Sequence, residues 1–453
     1  MTANSPAAEP AQINTTPLHT LAQLRAGKLA GSTRLDLRGC GLHELSADLL
    51  APLLRLADTL EVLDLSGNAL QALPEAIASL HRLRILFCSD NRFSELPAML
   101  GSCRNLDTLG FKANQISHVP PSALAPTLRW LILTDNRLSK LPDTLAACTG
   151  LQKLMLARNR LTQLPAGLWA LQRLELLRLA ANRFETIADA LPPELLALPH
   201  LAWLAHAGNP FSQKQELAAE AGNANKPIPW SSLQIEGLLG EGASGHIHAA
   251  CWHRDDGATT PVAVKLFKGA VTSDGLPRSE RAACVAAGQH PHIVGVLGPL
   301  TGHPGGAQGL VLPRIAPQFH PLAAPPSMAS CSRDVYAHGL RLLGTQAAAI
   351  AEGISSALQH LHRQGLVHGD LYGHDILVDA QGGCLLSDFG AASFLPEHDP
   401  VRSAALRALD LRAFQVLVDE LAQHCDEPSA LACWQRPGHR PSRDNAAAQA
   451  WGG

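Results

Sequence analysis

Nowhere does this 453-residue chain carry an apolar run near the roughly 18–20 residues that a bilayer-spanning helix needs. Met1 to Thr20 has neither a basic start nor an apolar stretch, so no secretory signal is read there. Strong charge of either sign is missing too. With 36 Lys and Arg against 39 Asp and Glu, the net charge is −3, which argues against nucleic-acid and membrane-surface partners. The ten cysteines contain no CxxC pair and no regular spacing. They read as reduced core thiols rather than disulfides or zinc ligands, and the expected compartment is the cytoplasm, of the producing cell or of a host that receives the protein. His290, His292 and His320 lack metal-ligand spacing and are taken as ordinary surface or core side chains. What is present is a globular composition, 46% hydrophobic and 17% charged, with length for two or three domains.

The first half is periodic. Leu60, Leu83, Leu106, Leu128, Leu151, Leu174 and Leu201 follow one another at 22–23 residues, with one longer step of 27. Each opens a pattern close to L-x-x-L-x-x-x-x-N, ending at Asn68, Asn91, Asn114, Asn136, Asn159, Asn182 and Asn209; an earlier unit at Leu35 has Cys40 in the Asn place. This resembles the leucine-rich repeat, over about residues 32–211. The leucines are expected to fill one core, each Asn to bond backbone at a turn, and the Leu-Pro steps such as Leu73-Pro74 to lead onto the convex side. Strand residues between the leucines then face the concave side. Phe87, Trp130, Ile132, Met155 and Trp203 lie there, and exposed aromatics of this kind suggest a protein-binding face. The partner is not readable.

Residues 212–232, with Gly, Asn and two prolines, lose the repeat pattern and read as a linker holding one or two helical turns near Gln215–Ala221, with the domain break over 212–228. Beyond it Gly240-Glu-Gly242-Ala-Ser-Gly245 lies between strand-like runs, a glycine hairpin whose backbone can approach phosphates. A dinucleotide-binding turn would need a helix directly afterwards, whereas Ile247 onward reads as strand. Val262-Ala263-Val264-Lys265 is a second β-branched run, and Ser279 to Ala287 a helix with Glu280 as its single carboxylate. Further on, Leu366-Val-His368-Gly369-Asp370-Leu-Tyr372-Gly-His-Asp375-Ile-Leu-Val378 presents two carboxylates five residues apart, and Asp388-Phe389-Gly390 supplies a third. Two such carboxylates are either a proton acceptor beside a metal ligand or a plain solvated turn. The ordered set resembles the protein kinase signature, Gly-rich loop, V-A-I-K, H-R-D-L-x-x-x-N and D-F-G.

That resemblance implies a two-lobed ATP site and covers Leu233 to about Ser442. Gly240, Gly242, Gly245 and Ile247 would line the nucleotide, Ala263 would pack on adenine, and the Ile315 N–H would donate to it. Lys265, paired with Glu280, would hold the phosphates; Asp375 and Asp388 would hold Mg²⁺ or Mn²⁺; Asp370 would accept the proton of a Ser or Thr hydroxyl, with Tyr not excluded. Asp410 resembles the buried helix Asp that anchors the loop, and Cys433-Trp434…Arg440-Pro441 the closing motif. Departures stand out: Gly369 for Arg, Tyr372 for Lys, Asp375 for Asn, no A-P-E, and little activation segment. With Gly369 in place of a cation, phosphate on Ser393 or Ser403 is not expected to switch the enzyme.

The expectation is therefore an N-terminal segment or cap over residues 1–31, an α/β repeat solenoid (a leucine-rich-repeat horseshoe) over 32–211, a linker over 212–228, and an α+β bilobal kinase-like domain with a shortened C-lobe over 229–453. It is most like leucine-rich-repeat protein kinases of the small bacterial type. The partners would be ATP, a protein substrate and a protein on the concave face, with no nucleic acid and no membrane. The alternative is a scaffold whose kinase-like domain is weak or inactive.

Overall fold

The computed structural model describes residues 16–221, 226–242, 245–269 and 274–434. Helix α1 (Pro17–Arg25) and helix α2 (Ala47–Leu54) flank strand β1 (Arg34–Asp36) at the start. Strands β2 (Val62–Asp64), β3 (Ile85–Phe87), β4 (Thr108–Gly110), β5 (Trp130–Ile132), β6 (Lys153–Met155) and β7 (Leu176–Arg178) follow, one per repeat. The longer last step accommodates two single-turn helices, α3 (Ile187–Ala190) and α4 (Pro193–Leu196), before β8 (Trp203–Ala205). All eight strands form one parallel sheet in chain order.

Each repeat folds for local reasons. The middle residue of every strand, from Leu35 and Leu63 to Leu177 and Leu204, is buried in one core. Asn91 is representative of the asparagines. Its amide donates to Leu65 O of the preceding repeat (3.0 Å) and to Cys88 O (3.2 Å), and its Oδ1 accepts from Leu70 N (2.9 Å). The residue just before each repeat Asn turns left-handed even without glycine, as at Asp90, Ala113, Asp135, Arg158 and Ala181. Proline then starts a short 3-10 turn on the convex side, at Glu75–Ser79, Ala98–Ser102 and Asp143–Ala147 among others, because it has a fixed φ and no N–H to leave unpaired.

The helical turns expected near Gln215–Ala221 belong to a longer helix, α5 (Pro210–Ala221), which begins two residues before the expected linker. The second half has two lobes. Strands β9 (Ile228–Pro229), β10 (Leu233–Glu241), β11 (Gly245–His253), β12 (Thr259–Phe267), β13 (Gly298–Thr301) and β14 (Gly309–Pro313) form a sheet in the order β10-β11-β12-β14-β13-β9, and helix α6 (Pro277–Ala287) lies between β12 and β13 in the chain. The lower lobe holds β15 (His320–Pro321), helix α7 (Gly344–Arg363), β16 (Leu366–Val367), β17 (Ile376–Val378), β18 (Cys384–Leu386), β19 (Ser393–Phe394) and helix α8 (Pro400–Gln423). Among the described residues no helix is long and apolar enough to cross a membrane.

The horseshoe and the lower lobe share their cores. Val367, Leu395, Leu406 and Leu409 belong to the same buried cluster as the repeat leucines. In return, Leu176, Ala202 and Trp203 of the repeats are buried with the apolar residues of α7 and α8. The expectation for Trp203 as a docking residue for another protein is thereby corrected. It is 1% exposed, its indole N–H donates to Leu371 O (2.9 Å) and its ring stacks on Tyr372 at 4.4 Å. Met155 likewise packs against the lower lobe. The reason is that the chain fills the C-terminal end of its own concave face. Phe87, Trp130 and Ile132 stay half-buried.

Candidate active site

The upper wall of the cleft comes from the β-sheet. The β10–β11 hairpin lies over it, and Gly245 is needed there because a Cβ would come within 2.4 Å of Leu266 O on β12. On β12, Lys265 pairs in register with Ile247 and Leu310, so its side chain turns toward α6. There its ammonium forms an ion pair with Glu280, which is 2% exposed. Burial works against the Lys265 charge, and the carboxylates of Glu280 and Asp388 more than offset it, holding its pKa above the usual range. A cavity of about 310 Å³ opens in front of this pair. It is lined by Gly242, Gly245, Ile247, Ala263, Lys265, Glu280, Ile315, Asp375 and Asp388. Gly240 is the exception, paired with Ile247 in β10 and off the cavity wall.

The lower wall is the loop after β16. Asp410 on α8 holds it, accepting the backbone N–H groups of His368 (2.9 Å) and Gly369 (3.0 Å) and contacting His362 Nε2 (2.9 Å). His368 reaches Ser387 O at 3.1 Å and packs on Phe389, tying this loop to the next. Asp388 adopts a left-handed backbone, φ 52°, and is exposed toward the cavity. Asp375 is buried, and burial together with Asp388, Asp370, Asp334 and Asp274 pushes its carboxyl well above the usual range. Oxygen donors from Asp375 and Asp388 on one cavity, in a field of like charge, suit a hard divalent cation. The residues fit such an ion.

Asp370 is not on the cavity wall but next to it, under the repeats. Arg178 Nη2 lies 2.6 Å from Asp370 Oδ1, and Arg178 Nε lies 2.7 Å from Asp274 Oδ1. Burial disfavours the guanidinium charge, and the two carboxylates raise it again, so Arg178 stays charged. For Asp370, burial raises the carboxyl pKa and Arg178 pulls it down, leaving it above the usual range. Leu204 on β8 donates its N–H to Gly369 O (3.0 Å), so the edge of the repeat sheet is capped by the catalytic-type loop. Helix α5 braces the upper lobe. Glu216 accepts Ser279 Oγ (2.7 Å), and Glu220 pairs with Arg281 (2.6 Å), both partners being on α6.

A family model described as protein tyrosine and serine/threonine kinase matches residues 233–419, and leucine-rich-repeat models match residues 59–80 and 126–184. The chain joins leucine-rich repeats to a protein kinase domain. Similar proteins include the ephrin type-A receptor 8 of Mus musculus, 25% identical over 247 residues, which are 50% of this chain and 23% of the receptor. The ephrin type-B receptor 4a of Danio rerio is 29% identical over 185 residues, 40% and 17% of the two chains. A probable serine/threonine-protein kinase of Dictyostelium discoideum is 56% identical over 78 residues, 17% and 16% of the two chains. The chain thus spans less than a quarter of the length of these relatives.

Within the kinase domain, only residues 391–399 lie between Gly390 and the start of α8. Ser393 is 1% and Ser403 9% exposed, so both candidate phosphate acceptors are covered. Of the closing motif, residues 435–441 lie outside the described residues. The sequence reading missed Leu239, Cys284, Val294, Leu310 and Leu312 on the cavity wall. The alternation along β14 was the available signal for Leu310 and Leu312. It also missed Arg178 and Asp274, whose pairing joins segments 96 residues apart and leaves no local trace.

Proposed function

We propose that the chain is a protein kinase that moves the γ-phosphoryl group of ATP to serine or threonine hydroxyls of a protein. The observation that carries this is the joint placement of the Lys265–Glu280 pair, Asp375 and Asp388 on one cavity, with Asp370 beside it. In this reading Lys265 binds the α- and β-phosphates while Glu280 fixes its ammonium. Asp375 and Asp388 would hold Mg²⁺ or Mn²⁺, which neutralises phosphate charge when bound. Asp370 accepts the hydroxyl proton of the acceptor, and Ala263 and the Ile315 N–H position the adenine. Gly242, Gly245 and Ile247 close over the phosphates. Leucine-rich repeats commonly present binding surfaces, and among the described residues the part of the concave face left half-exposed lies toward its N-terminal end. It includes a cavity of about 230 Å³ lined by Arg34, Asp36, Arg38, Phe87 and Met328.

The test is transfer of radiolabelled phosphate from ATP by the full chain with Mg²⁺ or Mn²⁺, against Asp370→Ala, Lys265→Met and Asp388→Ala. All three variants should fall to background with native circular dichroism. Full turnover in the Lys265 and Asp388 variants would remove the kinase reading. The other reading, an inactive scaffold, has one observation in its favour: Asp370 is already engaged by Arg178. Wild-type transfer no faster than Asp370→Ala would favour it.

A further inference from the structure

One arginine of the repeats reaches both lobes of the kinase domain. Arg178 ends β7 at a place where the equivalent residues Asp36, Asp64, Phe87 and Ile132 are half-exposed. Arg178 itself is 2% exposed. Its Nε holds Asp274, on the segment leading into α6, and its Nη2 holds Asp370 on the loop below. The loop from Leu366 to Val378 contains no lysine or arginine, so the cation at Asp370 is supplied by the other domain. We propose that Arg178 is a positioning residue of the phosphoryl-transfer centre, fixing the Asp370 carboxylate and tying it across the cleft to Asp274. This rests on the kinase reading above.

Three observations make the docked arrangement the working one rather than a lock that must come off. The nucleotide side is assembled while the repeats are docked, with Lys265 and Glu280 paired and α6 held by Glu216 and Glu220. The docking is also built into the loop. A Cβ on Gly369 would stand 2.6 Å from Leu204 O, so the residue beside Asp370 is glycine where the repeats abut it. Finally, separation would expose Trp203, Val367, Leu406 and Leu409, which are buried between the two halves. An arginine suits the task, because its planar fork holds two carboxylates in fixed directions and a lysine cannot. The remaining Nη1 is buried without a hydrogen-bond partner among the described residues.

The experiment uses the full chain, with casein as acceptor, and compares wild type with Arg178→Ala, Arg178→Lys and Asp274→Asn. Arg178→Ala should lower kcat about 100-fold, the scale of a misplaced catalytic group, while KM for ATP changes little. Arg178→Lys should recover part of the loss, and guanidinium at non-denaturing concentration should partly rescue Arg178→Ala. Asp274→Asn changes a side chain that is 23% exposed and guards against misfolding of the buried variant. It should reduce kcat more mildly and should raise amide exchange both in the 366–378 loop and at the start of α6. Unchanged kcat in Arg178→Ala, or an increase, would overturn the proposal, the increase pointing to a lock. Unchanged exchange at both segments would overturn it as well. Equal background transfer by wild type and Asp370→Ala would instead fell the kinase reading, and the exchange measurement would then decide the clamp by itself.

Discussion

At Gly369 the backbone has φ 73°, and a Cβ would meet Leu204 O at 2.6 Å and Ala391 O at 2.9 Å. Left-handed backbone alone costs an L-residue about 1–2 kcal/mol, and here two carbonyls on separate segments would also have to move. Gly369→Ala should therefore lose at least about 2 kcal/mol of stability, read from the denaturant midpoint. A midpoint within error of wild type would mean that the repeats do not press on the loop. His206 is a second outlier at this scale. It occupies the place that Leu133, Leu156 and Leu179 hold in neighbouring repeats, is fully buried, and neither ring nitrogen has a hydrogen-bond partner among the described residues. Burial lowers its pKa from 6.5 to about 4. Unfolded chains take up the proton near pH 6.5 and the folded protein only near pH 4, so the unfolded state binds more protons in between. Stability from this residue is complete above that window and falls as pH drops through it, by up to about 3 kcal/mol. His206→Leu should remove that part of the acid slope and raise stability at pH 5. Parallel pH profiles for the two proteins would contradict this.

Helix α5 shows how one element can serve two domains. Glu216 accepts Gly208 N (2.7 Å) and Ser212 Oγ (2.6 Å) within the repeat end, and Ser279 Oγ (2.7 Å) on α6. Removing this buried carboxylate leaves several donors unpaired. Glu216→Ala should cost about 2–4 kcal/mol, speed amide exchange in α6 and weaken nucleotide binding through Glu280. Faster exchange confined to the last repeat would limit its role to the repeats. The segment before α8 makes the opposite point. Ser393 Oγ donates to Ala391 O (3.2 Å) and Ser403 Oγ to Pro396 O (2.8 Å), so neither hydroxyl is offered to another kinase. Phosphatase treatment, Ser393→Ala and Ser403→Ala should each change kcat by less than tenfold, about 1.4 kcal/mol of barrier. A larger loss in any of them would restore switching by phosphate.

Over the whole molecule, repeats and kinase domain are bound by more than a hinge. The repeat core continues into Val367, Leu395, Leu406 and Leu409, and the lower-lobe core into Leu176, Ala202 and Trp203. Polar ties surround these apolar contacts. Arg412 donates to Leu198 O and Leu201 O, Arg402 to Leu191 O, and Arg333 pairs with Glu175. Separate domains that merely touch unfold separately, whereas a shared core couples them. Calorimetry should therefore give one transition for repeats and lower lobe together, and Trp203→Ala should shift both halves of it. Two resolved transitions, only one of them moved by Trp203→Ala, would show the halves to be independent.

The sequence by itself determined the repeats and the order of the kinase motifs, because both rest on short-range rules. Leucines at a 22–23-residue period must share one core, and each Asn bonds backbone no further away than the adjoining repeat. The Lys265–Glu280 pair was legible because one helix offered one carboxylate. Tertiary structure alone decided that Trp203 and Arg178 face the chain's own catalytic loop. Alternation along a strand says which face a side chain takes, but not what covers that face, and Trp203 finds Leu371 across 168 residues. Gly369 was visible as a departure from the motif, yet its cause, the carbonyl of Leu204, belongs to another domain. Helix α5 was underestimated because its composition resembles a linker, and what holds it is Ser279 and Arg281 on α6.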